Sequence, residues 1–184
     1  MDIESRYQKV IEEIKLGHRA LTRMSDDEHN ELLQALDDDL ERKDFLHMEK
    51  VLCLLEHSAS LFTPAEKTLV NLLNSDLPDP LIIFTLNTSR RHIIQGQFQR
   101  GQRLKYEFLE ALKKRLHSSS PEVVEWTLRT IEECGNQGVY FLREFDKIKP
   151  APWKWFNAHQ RAVRELIAML ERRWSRFEKP KSES

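Results

Sequence analysis

Apolar residues recur every three or four positions along nearly the whole chain, the period of one-sided burial of a helix. Tyr7, Val10, Ile14 and Leu21 form the first stripe. Ser25 then precedes Glu28 by three residues, a hydroxyl and carboxylate placed to cap one helix start reciprocally, and Leu32, Leu33, Leu36 and Leu40 follow. Phe45, Met48, Leu52 and Leu55 continue, and Val51 and Leu54 widen the apolar face, as in a helix covered on two sides. Thr63-Pro64 and Asp79-Pro80 each put a capping side chain before a proline that tolerates the first helical position. Leu69, Val70, Leu72 and Leu73 give the first of these helices its buried side.

The run Leu81 to Leu86 (LIIFTL) has strand length, but a lone strand among helices leaves its backbone groups unpaired, so it reads as helix. Leu104, Phe108, Leu112 and Leu116 follow at strict spacings of four. Ser120-Pro121 opens another helix, and Gly135 is placed to end it in the left-handed region. Val139, Leu142, Phe145 and Ile148 are spaced by three until Lys149-Pro150-Ala151-Pro152 breaks the run. A last helix carries Phe156, Val163, Leu166, Ile167, Leu170 and Trp174.

The expectation is an all-α chain with a leading helix of about 20 residues and four hairpins: 26–42 with 44–60, 64–74 with 80–95, 101–117 with 121–134, and 139–148 with 153–177. The second helices begin at spacings of 35, 41 and 32 residues, around the 40-residue range of helical-pair repeats. Pro121-Glu122-Val123-Val124, followed by Leu128, Ile131 and Gly135, resembles the second helix of a HEAT repeat. Asp79-Pro80-Leu81-Ile82-Ile83 is similar at its start, and Ala162-Val163-Arg164-Glu165-Leu166 has a related texture. Glu125 and Thr127 depart from that family's pattern. The resemblance implies a short HEAT-like α-solenoid of about four hairpins, a non-enzymatic stack whose inner surface binds a partner. A closed helical bundle satisfies the same stripes.

The 184 residues suit a single all-helical domain over 1–177 with a flexible C-terminal tail at 178–184. At 40% hydrophobic and 32% charged, the composition is that of a globular chain. Two cysteines make no disulfide framework, no signal-peptide core opens the chain and no apolar run reaches membrane-spanning length, so a cytoplasmic setting is expected.

Motif chemistry is sparse. Cys53 and His57 share a helix face, but no second Cys/His pair stands near, so a buried thiol beside a part-exposed imidazole is the expectation rather than zinc. Cys134 sits beside Glu132 and Glu133, which oppose a thiolate. Asp37, Asp38 and Asp39 point about 100° apart on a helix and read as a solvated face. No HExxH, GxSxG, phosphate loop or dinucleotide fingerprint occurs. No catalytic residue, cofactor or metal is therefore expected.

The net charge is −1, with pI ≈ 6.7, yet the charges are segregated. Residues 25–44 carry nine acids against Arg42 and Lys43, whereas residues 90–115 carry eight bases against Glu107 and Glu110. The last forty residues are basic again, through Arg161, Arg164, Arg172, Arg173, Arg176 and Lys179. The stretch from Thr88 to Arg103 reads as a helix end and exposed connection. Candidate partner contacts are Arg90, Arg91, His92, Arg100, Arg103 and Lys105, with Trp153 and Trp155 in the proline-rich hinge. The expected partner is another protein with an acidic surface. Nucleic acid is the second choice, opposed by the acidic stretch at 25–44, and no membrane partner is expected.

Overall fold

The computed structural model describes residues 2–150 and 157–177. The chain is all-α. Among the described residues there is no strand, only an isolated parallel bridge between Thr22 and Ser58. The chain's contacts cluster into two compact units, Met1–Arg103 and Leu104–Ser184. The tail at 178–184 lies outside the described residues.

The first unit contains α1 (Ile3–Lys15), α2 (Asp26–Arg42), α3 (Phe45–Glu56), α4 (Glu66–Asn74), α5 (Asp79–Ser89), a π-helical segment (Arg90–Gln95) and α6 (Gly96–Gln99). The leading helix is shorter than its apolar stripe implies, because the chain leaves α1 through a turn at Gly17. The capping box at α2 forms as expected: Ser25 Oγ accepts from Glu28 N at 3.2 Å and Glu28 Oε2 accepts from Ser25 N at 2.8 Å. The start signals of α4 and α5 act differently from expectation. Neither Thr63 nor Asp79 caps through its side chain. Pro64 lies in a 3-10 turn (Thr63–Ala65), and Asp79 is already inside the first turn of its helix, after Pro78.

Helix α3 occupies the centre of this unit, packed against α1, α2 and α5. Its wide apolar face explains that position: Met48, Val51, Leu52, Leu54 and Leu55 are all fully buried. Asp39 corrects the reading of a solvated acidic face. Its side chain is fully buried and accepts from His47 Nδ1 at 2.7 Å and from Arg42 Nη2 at 3.3 Å. Lys43, in the left-handed region at φ 57°, turns the chain so that α3 can return beside α2.

The LIIFTL run is helical, within α5. Thr85, Thr88 and Ser89 each donate a hydroxyl to the carbonyl four residues back, at 2.7, 3.0 and 2.7 Å. Such bonds satisfy hydroxyls in an apolar setting while competing with the helix ladder. The ladder widens into the π-helical segment immediately afterwards. Gly96 lets the widened segment approach the 3-10 turn, since a β-carbon there would lie 2.7 Å from Thr63 Cγ2.

The second unit contains α7 (Tyr106–Leu116), α8 (Pro121–Glu133), a 3-10 segment (Gly135–Phe141), α9 (Leu142–Ile148) and α10 (Ala158–Trp174), ending in a 3-10 turn (Ser175–Phe177). Helix α8 follows its sequence signals. Ser120 caps it by accepting from Val123 N, Pro121 occupies the first turn, and Gly135 at φ 59° ends the run. It packs against α7 and α10, and its Val123, Leu128 and Ile131 are buried. The spacing of three from Val139 onward belongs in part to the 3-10 segment, whose period is three residues per turn.

Candidate partner-binding surface

The stretch from Thr88 to Arg103 is helical as far as Gln99, not an exposed connection. The π-helical segment sorts its side chains. Arg90 and Arg91 reach the surface in part, while His92, Ile93 and Ile94 are buried. Arg100 and Arg103 follow in the exposed residues that end this unit, Arg100 donating to Gln97 Oε1 at 3.1 Å. Lys105 is exposed at the start of the second unit. Trp153 and Trp155 lie outside the described residues.

His92 is corrected: it is fully buried and is not a surface contact. Its Nδ1 accepts from Phe62 N at 2.9 Å. Its Nε2 must then carry the proton and donate to Leu55 O at 2.8 Å, since a carbonyl only accepts. Burial pulls this histidine from 6.5 to about 4, helped by Arg91 and His29 and opposed by the Leu55 carbonyl. The residue is a neutral two-way clamp between the π-helical segment, the end of α3 and the loop before α4.

A second buried histidine continues the same knot. His29 Nδ1 donates to Ser25 O at 2.8 Å, and its Nε2 meets Ser58 Oγ at 2.8 Å. Its ring stacks on Phe62 at 4.6 Å. The serine–histidine distance is that of a nucleophile and its base, but both residues are fully buried and Ser58 Oγ is also held by Ser60 N and O. No substrate carbonyl reaches such a pair, so its work is structural. Sequence reasoning missed this knot because His29, Ser58 and His92 stand far apart in the chain.

The knot fixes one of the candidate arginines. Arg91 Nη2 donates to the Ser58 carbonyl, and the nearby Arg19 and the burial of Arg91 both lower its pKa. Glu56 is the carboxylate facing Arg90 and Arg91; burial raises its pKa, while His57, Arg90 and Arg91 lower it. The positive charge at this edge of the first unit is thus gathered by the fold as well as by sequence.

The thiols match their expected character. Cys53 is buried and pushed up to about 11, chiefly by desolvation. Cys134 is also buried, raised by desolvation and by Glu133, and lies within 3.5 Å of Thr130 O. His57 Nδ1 donates to Ala20 O at 3.1 Å. Among the described residues no group of three or more His, Cys, Asp or Glu is arranged to hold a metal ion, and no helix is long and apolar enough to cross a membrane.

Compared with protein-family models, curated proteins and solved structures, the chain matches none.

Proposed function

We propose that this chain is a non-enzymatic, cytoplasmic interaction protein whose first unit docks a partner protein with an acidic face. The observation that carries the reading is the division of labour in the π-helical segment. It buries His92, Ile93 and Ile94 but leaves Arg90 and Arg91 partly at the surface, Arg91 with one guanidinium nitrogen held by Ser58 O, in the same unit as exposed Arg100 and Arg103. Guanidinium groups on a supported backbone suit carboxylate recognition, because their paired donors match a carboxylate's geometry.

The HEAT-like layout belongs to this proposal. In the first unit the second helices α3 and α5 pack on each other, as do the first helices α2 and α4. In the second unit the same relation holds between α8 and α10 and between α7 and α9. Hairpins stacked in that manner share a core that no hairpin can build alone and present a continuous surface to a partner. Two buried free thiols fit a reducing compartment.

The test is a titration with labelled duplex and single-stranded DNA and RNA at low salt, using the chain and a variant with Arg90, Arg91, Arg100 and Arg103 changed to Glu. The proposal expects no specific nucleic-acid complex. Tight binding that falls steeply with salt and disappears in the variant would replace the protein partner with a nucleic acid.

A further inference from the structure

Another groove in the first unit brings cations beside a few apolar residues. It has a volume of about 330 Å³ and runs between α1 and the linker to α2, with Val10, Ala20 and Leu21 along it and Arg6, Lys9 and Arg23 around it. Its linker wall is pinned from behind. Thr22 N donates to His57 O and Ala59 N to Thr22 O, both at 2.8 Å, and His57 Nδ1 holds Ala20 O. Beside the groove the chain leaves unusually large apolar side chains in water: Ile14 is 43% exposed, Leu16 68% and Leu21 48%.

The charges there are unevenly matched. The lining sets Arg6, Lys9 and Arg23 against one carboxylate, Glu13; Arg6 is engaged by Glu28 from outside the lining, and Glu13 shares a hydrogen bond of 2.9 Å with His18 and keeps its charge. Lys9 and the guanidinium of Arg23 have no ion-pair partner among the described residues. An excess of cations beside exposed Leu21, with Ile14 and Leu16 exposed on the same stretch of chain, complements a segment carrying large apolar side chains and carboxylates together.

We propose that the groove between α1 and the 20–23 linker docks an acidic amphipathic peptide segment of a partner protein. The apolar side chains of that segment cover Leu21, Ile14 and Leu16, and its carboxylates meet Lys9 and Arg23. Covering exposed apolar surface supplies the attraction, and the cations select acidic over basic sequences. None of Arg90, Arg91, Arg100 and Arg103 lines this groove, but Arg91 donates to Ser58, which lies beside the residues that pin Thr22, so the control variant changes only Arg100 and Arg103.

Fluorescence anisotropy with three short labelled peptides tests it: one alternating glutamate with leucine at helical spacing, one with lysine replacing every glutamate, and one with serine replacing every leucine. Only the first is expected to bind. Changing Lys9 and Arg23 to Glu is expected to weaken it by about tenfold or more, and Leu21→Ser by a similar factor, whereas Arg100→Glu with Arg103→Glu leaves it unchanged. Lys9, Leu21, Arg23, Arg100 and Arg103 are all exposed, and an unchanged melting temperature in each variant checks that the fold survives. Lys9→Gln with Arg23→Gln serves if charge reversal lowers that temperature. Equal binding of the serine peptide, or no binding of the leucine peptide, overturns the proposal. So does a concentration-dependent dimer abolished by the Lys9 and Arg23 changes, which would make the occupant a second copy of this chain.

Discussion

The indole of Trp174 fills the place where a side chain on residue 138 would begin. A β-carbon built on Gly138 would lie 2.1 Å from Trp174 Cη2, far inside contact distance. Trp174 is 1% exposed and also stacks on Phe145, with ring centroids 6.4 Å apart. One tryptophan thus ties the end of α10 to the 3-10 segment and to α9.

Gly138→Ala is therefore expected to destabilise the second unit by about 1–3 kcal/mol or more, as overpacking does. Trp174→Ala is expected to cost about 3–5 kcal/mol. The two changes should not add, because the second removes the obstacle that the first meets. Chemical denaturation of the single and double variants measures this. A strictly additive double variant would contradict the packing described.

Acid should loosen the first unit through His92. Its pKa is lower folded than unfolded, so the unfolded chain binds more protons in between. Its stabilising effect is full above 6.5 and is lost as pH falls from 6.5 toward about 4. Complete loss corresponds to about 3 kcal/mol at that shift of 6.5 to about 4. The denaturation midpoint should begin to fall in the upper part of this window, above the ordinary carboxylate value of 4.5; Glu28, held below that value by its bond from the Ser25 backbone, protonates later still. His92→Gln should be less stable at neutral pH but show a flatter profile. A midpoint unchanged across the window would contradict the clamp.

Asp39 and Asp38 are adjacent, but their removal should affect stability very differently. Asp39→Ala leaves His47 and Arg42 without their shared buried acceptor and should cost about 1–3 kcal/mol. Asp38 is exposed, and Asp38→Ala should stay within about 0.5 kcal/mol of the parent. Thermal melts of both variants compare them directly; equal losses would contradict the buried placement of Asp39.

Neither thiol should react readily in the folded chain. Cys53 is buried and raised to about 11, and Cys134 is buried and raised further from the ordinary thiol value. Thiol-specific labelling should be slow until denaturant is added, then proceed at both positions. Rapid labelling of Cys134 under native conditions would contradict the fold around α8.

Local signals made much of the fold legible. Ser25 with Glu28, and Ser120 with Pro121 and Gly135, act through neighbours a few residues away, so the sequence contains the whole interaction. The apolar stripe of α3 likewise records its burial on two sides. The π-helical segment was less legible, because hydroxyl bonding inside α5 and the approach of Gly96 to Thr63 depend on where the helix packs. His92 shows the same limit at the candidate site. Preceded by two arginines it reads as surface, but its partners Phe62 and Leu55 lie 30 and 37 residues away.

The central claim is that the arginines of the first unit select an acidic protein partner. The most direct test is selection from a library of random displayed peptides on the chain and on the variant with Arg90, Arg91, Arg100 and Arg103 changed to Glu. With Lys9→Gln and Arg23→Gln present in both proteins, sequences enriched on the parent should be rich in Asp and Glu and should lose enrichment on the variant. Enrichment of neutral or basic sequences, or the same acidic set on both proteins, would contradict it.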